Sequence, residues 1–118
     1  MVLANYLINM SGVFEVYKDN AGEYRFRLKA SNGQNVLSSE GYSMKAGCMN
    51  GIESVKENCK VPERFETYED KAGKHRFRLK AANGQVIGVG EAYESEASLA
   101  SGIESVKRWA SNSTIKEL

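Results

Sequence analysis

The chain has 118 residues, 42% hydrophobic and 26% charged, the proportions of one ordinary globular domain rather than of a disordered, collagenous or membrane-spanning chain. Sixteen Lys and Arg stand against fifteen Asp and Glu, so a net charge of +1 supplies no global field to recruit nucleic acid or an anionic membrane; such binding needs a local patch. Two cysteines, Cys48 and Cys59, and one histidine, His75, are too few for a disulfide scaffold or a zinc site, which fits a reduced, cytoplasmic protein with no cofactor.

Residues 1–12 read as an N-terminal extension. Val2, Leu3, Ala4, Tyr6, Leu7 and Ile8 are apolar, but there is no basic n-region and no apolar run long enough for export or anchoring. The segment suits an extra strand, a short helix or a tail, and Met10-Ser11-Gly12 is a plausible alternative start. From there Phe14 to Lys18 alternates as a half-buried strand does, and Tyr24 to Ala30 alternates more strictly. Tyr24, Phe26, Leu28 and Ala30 fall on one face, Arg25, Arg27 and Lys29 on the other. Asp19-Asn20-Ala21-Gly22 joins the two as a hairpin turn, and Asn32-Gly33, the pair that best suits a type I′ turn, leads to a third strand near Asn35 to Glu40. Which face that strand buries is ambiguous, because Val36 and Leu37 are adjacent. Ser43 is placed to cap a helix from Met44, with Cys48, Ile52 and Val55 on its apolar stripe.

The linker Asn58 to Arg64 holds the only proline, Pro62, and then the pattern starts again. Phe14 to Cys59 returns as Phe65 to Ala110 at an offset of 51 without a gap, with about half of the positions identical. FEVYKDNAGEYRFRLKASNGQNV becomes FETYEDKAGKHRFRLKAANGQVI, and GIESVK is unchanged at Gly51 to Lys56 and Gly102 to Lys107. In this copy Asp70 to Gly73 and Asn83-Gly84 are the turns, Ile87 and Val89 alternate cleanly in the third strand (Val86 to Glu91), Ser95 caps the helix, and Leu99, Ile103 and Val106 form its stripe. Gly51 and Gly102 inside the helices cost about 1 kcal/mol each relative to alanine, which predicts a close approach to another element. Thr114 to Leu118 alternates as a last strand, equivalent to Glu63 to Thr67, so one unit's final strand is expected to merge with the next unit's first.

Units of about fifty residues are marginal alone. The expected fold is therefore α+β: two tandem β-β-β-α(-β) repeats, residues 13–61 and 62–118, sharing one core in a pseudo-twofold domain. Its sheet is mostly antiparallel, with both helices packed on one face. Two independently unfolding beads are the alternative.

FEVYKDNAGEYRFRLKASNGQ, Tyr42 and Tyr93, and GIESVK resemble the YegP-like family of small bacterial proteins, whose repeat is classed as a domain of unknown function. The resemblance runs from about Val13 to the C terminus. It implies a β-β-β-α-β unit, present singly in members that dimerise or doubled in one chain, with copies that build a common sheet and exchange terminal strands. It implies no activity, and the residues before Val13 depart from the family's short N terminus.

The sharpest candidate site is one face of the sheet. Alternation puts Arg25, Arg27, Lys29, Arg76, Arg78 and Lys80 opposite the helices, with Tyr17 and Tyr68 beside them, a pattern suited to phosphates on cations and bases on rings. Glu15 and Glu66 share that face, and their pairing with the arginines is the bland reading. Cys48 aligns with Leu99 and reads as a small core hydrophobe; Cys59, eleven residues on, is too far along a helix to bond to it. His75 replaces Tyr24 as a packing residue, Trp109 seals the second helix, and Glu40 and Glu91 favour the helix N termini. Asn32 and Asn83 are turn residues.

No nucleophile and base, metal cluster or phosphate loop is recognisable. The leading reading is therefore a non-enzymatic structural or interaction module with a protein partner. It is expected to be monomeric with internal pseudo-dimer symmetry and not membrane-bound. Single-stranded nucleic-acid or anion binding on the basic face is the alternative, and an enzyme with an unrecognised site comes third.

Overall fold

The computed structural model describes residues 11–118; the expectations for residues 1–10, including a start at Met10, lie outside the described residues. The elements run β1 (Gly12–Lys18), β2 (Tyr24–Lys29), β3 (Asn35–Ser38), α1 (Lys45–Asn58), a 3-10 turn (Pro62–Arg64), β4 (Phe65–Glu69), β5 (His75–Lys80), β6 (Val86–Val89), α2 (Glu96–Ser111) and β7 (Ser113–Glu117).

The turns that join the strands differ from type I′. Such a turn needs positive φ at both central residues, whereas among the described residues only Gly22, Gly33, Gly73 and Gly84 have it, at 79–87°. Asn32 keeps a negative φ and its Oδ1 accepts the Gln34 N–H at 2.9 Å. Gly33 N–H donates to the Ala30 carbonyl and Ala30 N–H to that of Gln34, both at 2.9 Å. Each hairpin therefore closes through a wider turn with its glycine in the left-handed position.

The third strands are shorter than the pattern predicts and carry a bulge. Leu28 pairs with Leu37 but Lys29 with Asn35, leaving Val36 as the extra residue; in the second copy Ile87 takes that place. The bulge lets adjacent Val36 and Leu37 both be buried. It also corrects the apparent alternation of Ile87 and Val89. Ile87 is buried, whereas Val89 pairs with Arg78 on the opposite face and is half-buried.

All seven strands form one sheet, in the order β4-β5-β6-β3-β2-β1-β7, antiparallel except for β7 beside β1. The repeats meet at β3 and β6 through the pair Ser38 and Val89, and Asn35 Nδ2 donates across the seam to Glu91 Oε1 at 3.1 Å. Glu91 thus serves the seam between the repeats. The equivalent positions Leu37 and Gly88 also meet here: a Cβ on Gly88 would lie 2.7 Å from Leu37 Cδ2.

Both helices lie on one face. α1 contacts β2, β5 and β6, and α2 contacts β1, β2, β3 and β5, so each crosses onto the other repeat. Phe14, Phe26, Leu28, Leu37, Cys48 and Ile52 join Phe77, Leu79, Leu99, Val106 and Trp109 in a single buried cluster. Trp109 is 8% exposed, and its backbone lies against Gly12 at the start of β1. Among the described residues no helix is long and apolar enough to cross a membrane.

The helix starts differ between copies. Ser95 caps α2, its hydroxyl accepting the Ser98 N–H at 3.1 Å in a reciprocal capping box. The first helix starts at Lys45, one residue later than expected, and its cap is Met44, aligned with Ser95, which makes no side-chain cap bond. Ser43 stands one residue too early. Met44 is 69% exposed, so Met44→Ser is expected to raise stability by about 1 kcal/mol, read as a higher denaturant midpoint at unchanged slope.

Candidate functional site

The face opposite the helices is assembled by the two β-hairpins. In the first, Val13 to Lys18 pair with Lys29 to Tyr24, which sets Tyr17 across from Arg25 and Glu15 across from Arg27. Phe14, Val16, Phe26 and Leu28 turn into the core, so period-two alternation sends Glu15, Tyr17, Arg25, Arg27 and Lys29 to the outer face. The second hairpin repeats this with Glu66 across from Arg78 and Tyr68 across from Arg76. All eight predicted residues lie on this face.

None of the six cations is free. Arg27 Nε donates to Glu15 Oε1 at 2.7 Å, and Lys29 Nζ lies 3.4 Å from the same oxygen. Arg78 Nε approaches Glu66 Oε1 at 3.1 Å, and Lys80 Nζ donates to Glu66 Oε2 at 2.9 Å. Arg25 pairs with Asp19 at 2.7 Å and Arg76 with Asp70 at 3.7 Å. Arg25 and Arg76 also donate to the Ser39 and Gly90 carbonyls. The two aspartates were not among the expected partners. They sit one residue past β1 and β4, diagonal to their arginines, a placement visible only once the hairpin register is known.

The same contacts shift the acids. Arg27, with Lys29 beside it, holds the Glu15 carboxyl below its ordinary range; Arg25 does so for Asp19, and Lys80 ahead of Arg78 for Glu66. The tyrosines are engaged as well: the guanidinium of Arg27 lies 4.5 Å from the Tyr17 ring centroid and that of Arg78 4.2 Å from that of Tyr68.

The remaining candidates resolve into structural places. Cys48 and Cys59 are fully buried, and burial pushes both thiols up, which keeps them protonated and unreactive. His75 is half-buried in an isolated bridge with Tyr93, as Tyr24 is with Tyr42. It lines a cleft of about 210 Å³ with Thr67, Tyr68, Glu69, Glu96 and Leu99, residues that no motif or spacing singles out.

A seven-stranded sheet covered on one side by two helices, built from two copies of one unit and carrying a self-paired basic face, defines a tandem-repeat α+β protein. The family model described as "Domain of unknown function (DUF1508)" matches it twice, at residues 19–66 and 70–117, and the chain belongs to this family. It is 54% identical over 109 residues to a UPF0339 protein in the ptx operon 5′ region of Stutzerimonas stutzeri, covering 92% of this chain and 98% of the relative. It is 42% identical over 108 residues to the UPF0339 protein YegP of Escherichia coli K12, with the same coverage. Two solution NMR structures share the fold. That of the E. coli protein of unknown function yegP has a TM-score of 0.87 at 42% identity, covering 92% of this chain and 93% of its own. That of a UPF0339 protein from Shewanella oneidensis has a TM-score of 0.86 at 44% identity, with 92% of each chain covered. No specific activity accompanies these relatives.

Proposed function

We propose that the protein is a non-catalytic, cytoplasmic interaction module, monomeric with internal pseudo-twofold symmetry, that binds a protein partner. The observation that carries this reading is the pairing of every cation on the basic face with a carboxylate: six cations share Glu15, Asp19, Glu66 and Asp70. A single-stranded nucleic acid needs cations available to phosphate and ring faces available to bases. Here Arg27 and Arg78 lie over the rings of Tyr17 and Tyr68 themselves. The face stabilises the sheet, and binding is left to other surfaces.

Fluorescence anisotropy of a labelled oligothymidylate tests this. The natural chain is expected to leave it unchanged at low salt. Glu15→Gln with Glu66→Gln, which releases Arg27, Lys29, Arg78 and Lys80, is expected to bind it in a strongly salt-dependent way. Binding by the natural chain at low salt would contradict the reading. Affinity capture from native lysate is expected to retain its protein partner after nuclease treatment.

A further inference from the structure

The two edges of the sheet are not equivalent, although the repeats that form them are. On one edge β7 lies parallel to β1, from Gly12 beside Ser113 to Val16 beside Glu117, and Leu118 N–H donates to the Val16 carbonyl at 2.8 Å. Glu117 pairs with Lys45 at the start of α1, so strand and helix together hold the tail. Val16, Tyr17, Lys18, Tyr24 and Lys45 form the seat.

On the other edge the equivalent seat is built but, among the described residues, no strand lies beyond β4. Thr67, Tyr68, Glu69, His75 and Glu96 stand 51 positions after the five residues of the first seat and line the 210 Å³ cleft. The chain cannot fill this seat in the same way. The equivalents of β7, residues 62–66, are the 3-10 turn and the first residues of β4 itself, and one segment cannot lie beside itself. The charges of the seat are reversed: Lys18 and Lys45 become Glu69 and Glu96. Among the described residues neither carboxylate is held in an ion pair, the acidic partners in the second repeat being Glu66, Asp70, Glu94, Glu104 and Glu117. Residues 1–10 contain no lysine, arginine or histidine to answer them.

We propose that the β4 edge is a docking site for an extended polypeptide segment of a partner protein, added parallel to β4 as β7 is to β1, with a lysine or arginine where β7 has Glu117. Main-chain hydrogen bonds supply the binding and the Glu69–Glu96 cleft supplies the selection. Two copies joined through β4 do not meet this requirement, because β4 (Phe65–Glu69) carries no lysine or arginine to answer the Glu69–Glu96 cleft. The proposal rests on the interaction-module reading and names the partner's chemistry.

The test is calorimetric titration of the full chain with two peptides: its own residues 111–118, and the same peptide with Glu117→Lys. The lysine peptide is expected to bind about tenfold more tightly than the native one. The exposed pair Glu69→Lys with Glu96→Lys is expected to invert that order, and Glu69→Gln with Glu96→Gln to abolish it. Equal binding of the two peptides, an order unchanged in the charge-reversed chain, or no saturable binding would overturn the proposal. Binding seen only after removal of residues 1–10 would assign the edge to the chain's own N terminus and overturn it too. If the peptide fails while nuclease-resistant capture persists, the edge is wrong and the module reading stands; if capture is lost as well, both fall.

Discussion

Leu37→Gly is expected to destabilise the protein by about 3–6 kcal/mol, and Gly88→Leu by about 1–3 kcal/mol, yet the double exchange should recover most of the loss. Leu37 is buried, and its branched end occupies the space that a side chain at Gly88 would need, 2.7 Å from the missing Cβ. Removing it leaves a cavity at the seam of the repeats and a more flexible strand. Filling position 88 alone drives two side chains into one volume. Positions 37 and 88 are equivalent in the repeat, so the volume accepts a leucine from either side. Denaturant melts of both single variants and the double variant give the coupling, expected to exceed about 2 kcal/mol. Additive losses would mean that the seam is not the shared, pseudo-symmetric contact described above.

Gly51→Ala and Gly102→Ala are each expected to destabilise by about 1–3 kcal/mol, although alanine favours the helix by about 1 kcal/mol over glycine. A Cβ at Gly51 would lie 2.5 Å from the Tyr42 hydroxyl and 3.1 Å from Phe26 Cε2, and one at Gly102 would run into the Tyr93 hydroxyl and ring. Both tyrosines are anchored to the sheet. Tyr42 stacks on Phe26 and Tyr93 on Phe77, and each exchanges two backbone hydrogen bonds of 2.7–2.8 Å with Tyr24 or His75. Tyr42→Ala should turn Gly51→Ala from harmful to near neutral, because the clash with the hydroxyl is gone and only the tight approach to Phe26 still opposes the helix preference. Thermal melts of the four chains check this, and a stabilised Gly51→Ala single variant would contradict the close approach.

Much of this architecture was legible because the chain states it twice. The offset of 51, the alternation through RFRLK and the stripes ending in GIESVK locate hairpins and helices without reference to tertiary contacts. What was not legible depends on contacts between elements. The bulges at Val36 and Ile87 break the period-two rule, so the clean alternation of Ile87 and Val89 does not put them on one face. The first helix cap falls at Met44 and not at Ser43, as the alignment of Met44 with Ser95 places it. Alternation alone places the cations and tyrosines on one face, but their pairing with Asp19 and Asp70 depends on the register. The reversal of Lys45 to Glu96 stood in the alignment throughout, and acquired meaning only when β7 was seen beside Lys45.

On this proposal the working surface is the edge of the sheet and not its basic face. Amide NMR spectra of the full chain test it most directly, recorded with the Glu117→Lys peptide and, separately, with a single-stranded oligonucleotide at low salt. Peptide-dependent shifts are expected to be confined to β4, His75 and the start of α2, with the oligonucleotide leaving β1, β2 and β5 unmoved. Shifts across Tyr17, Arg25, Arg27, Arg76 and Arg78 on adding the oligonucleotide, with β4 silent to the peptide, would contradict it.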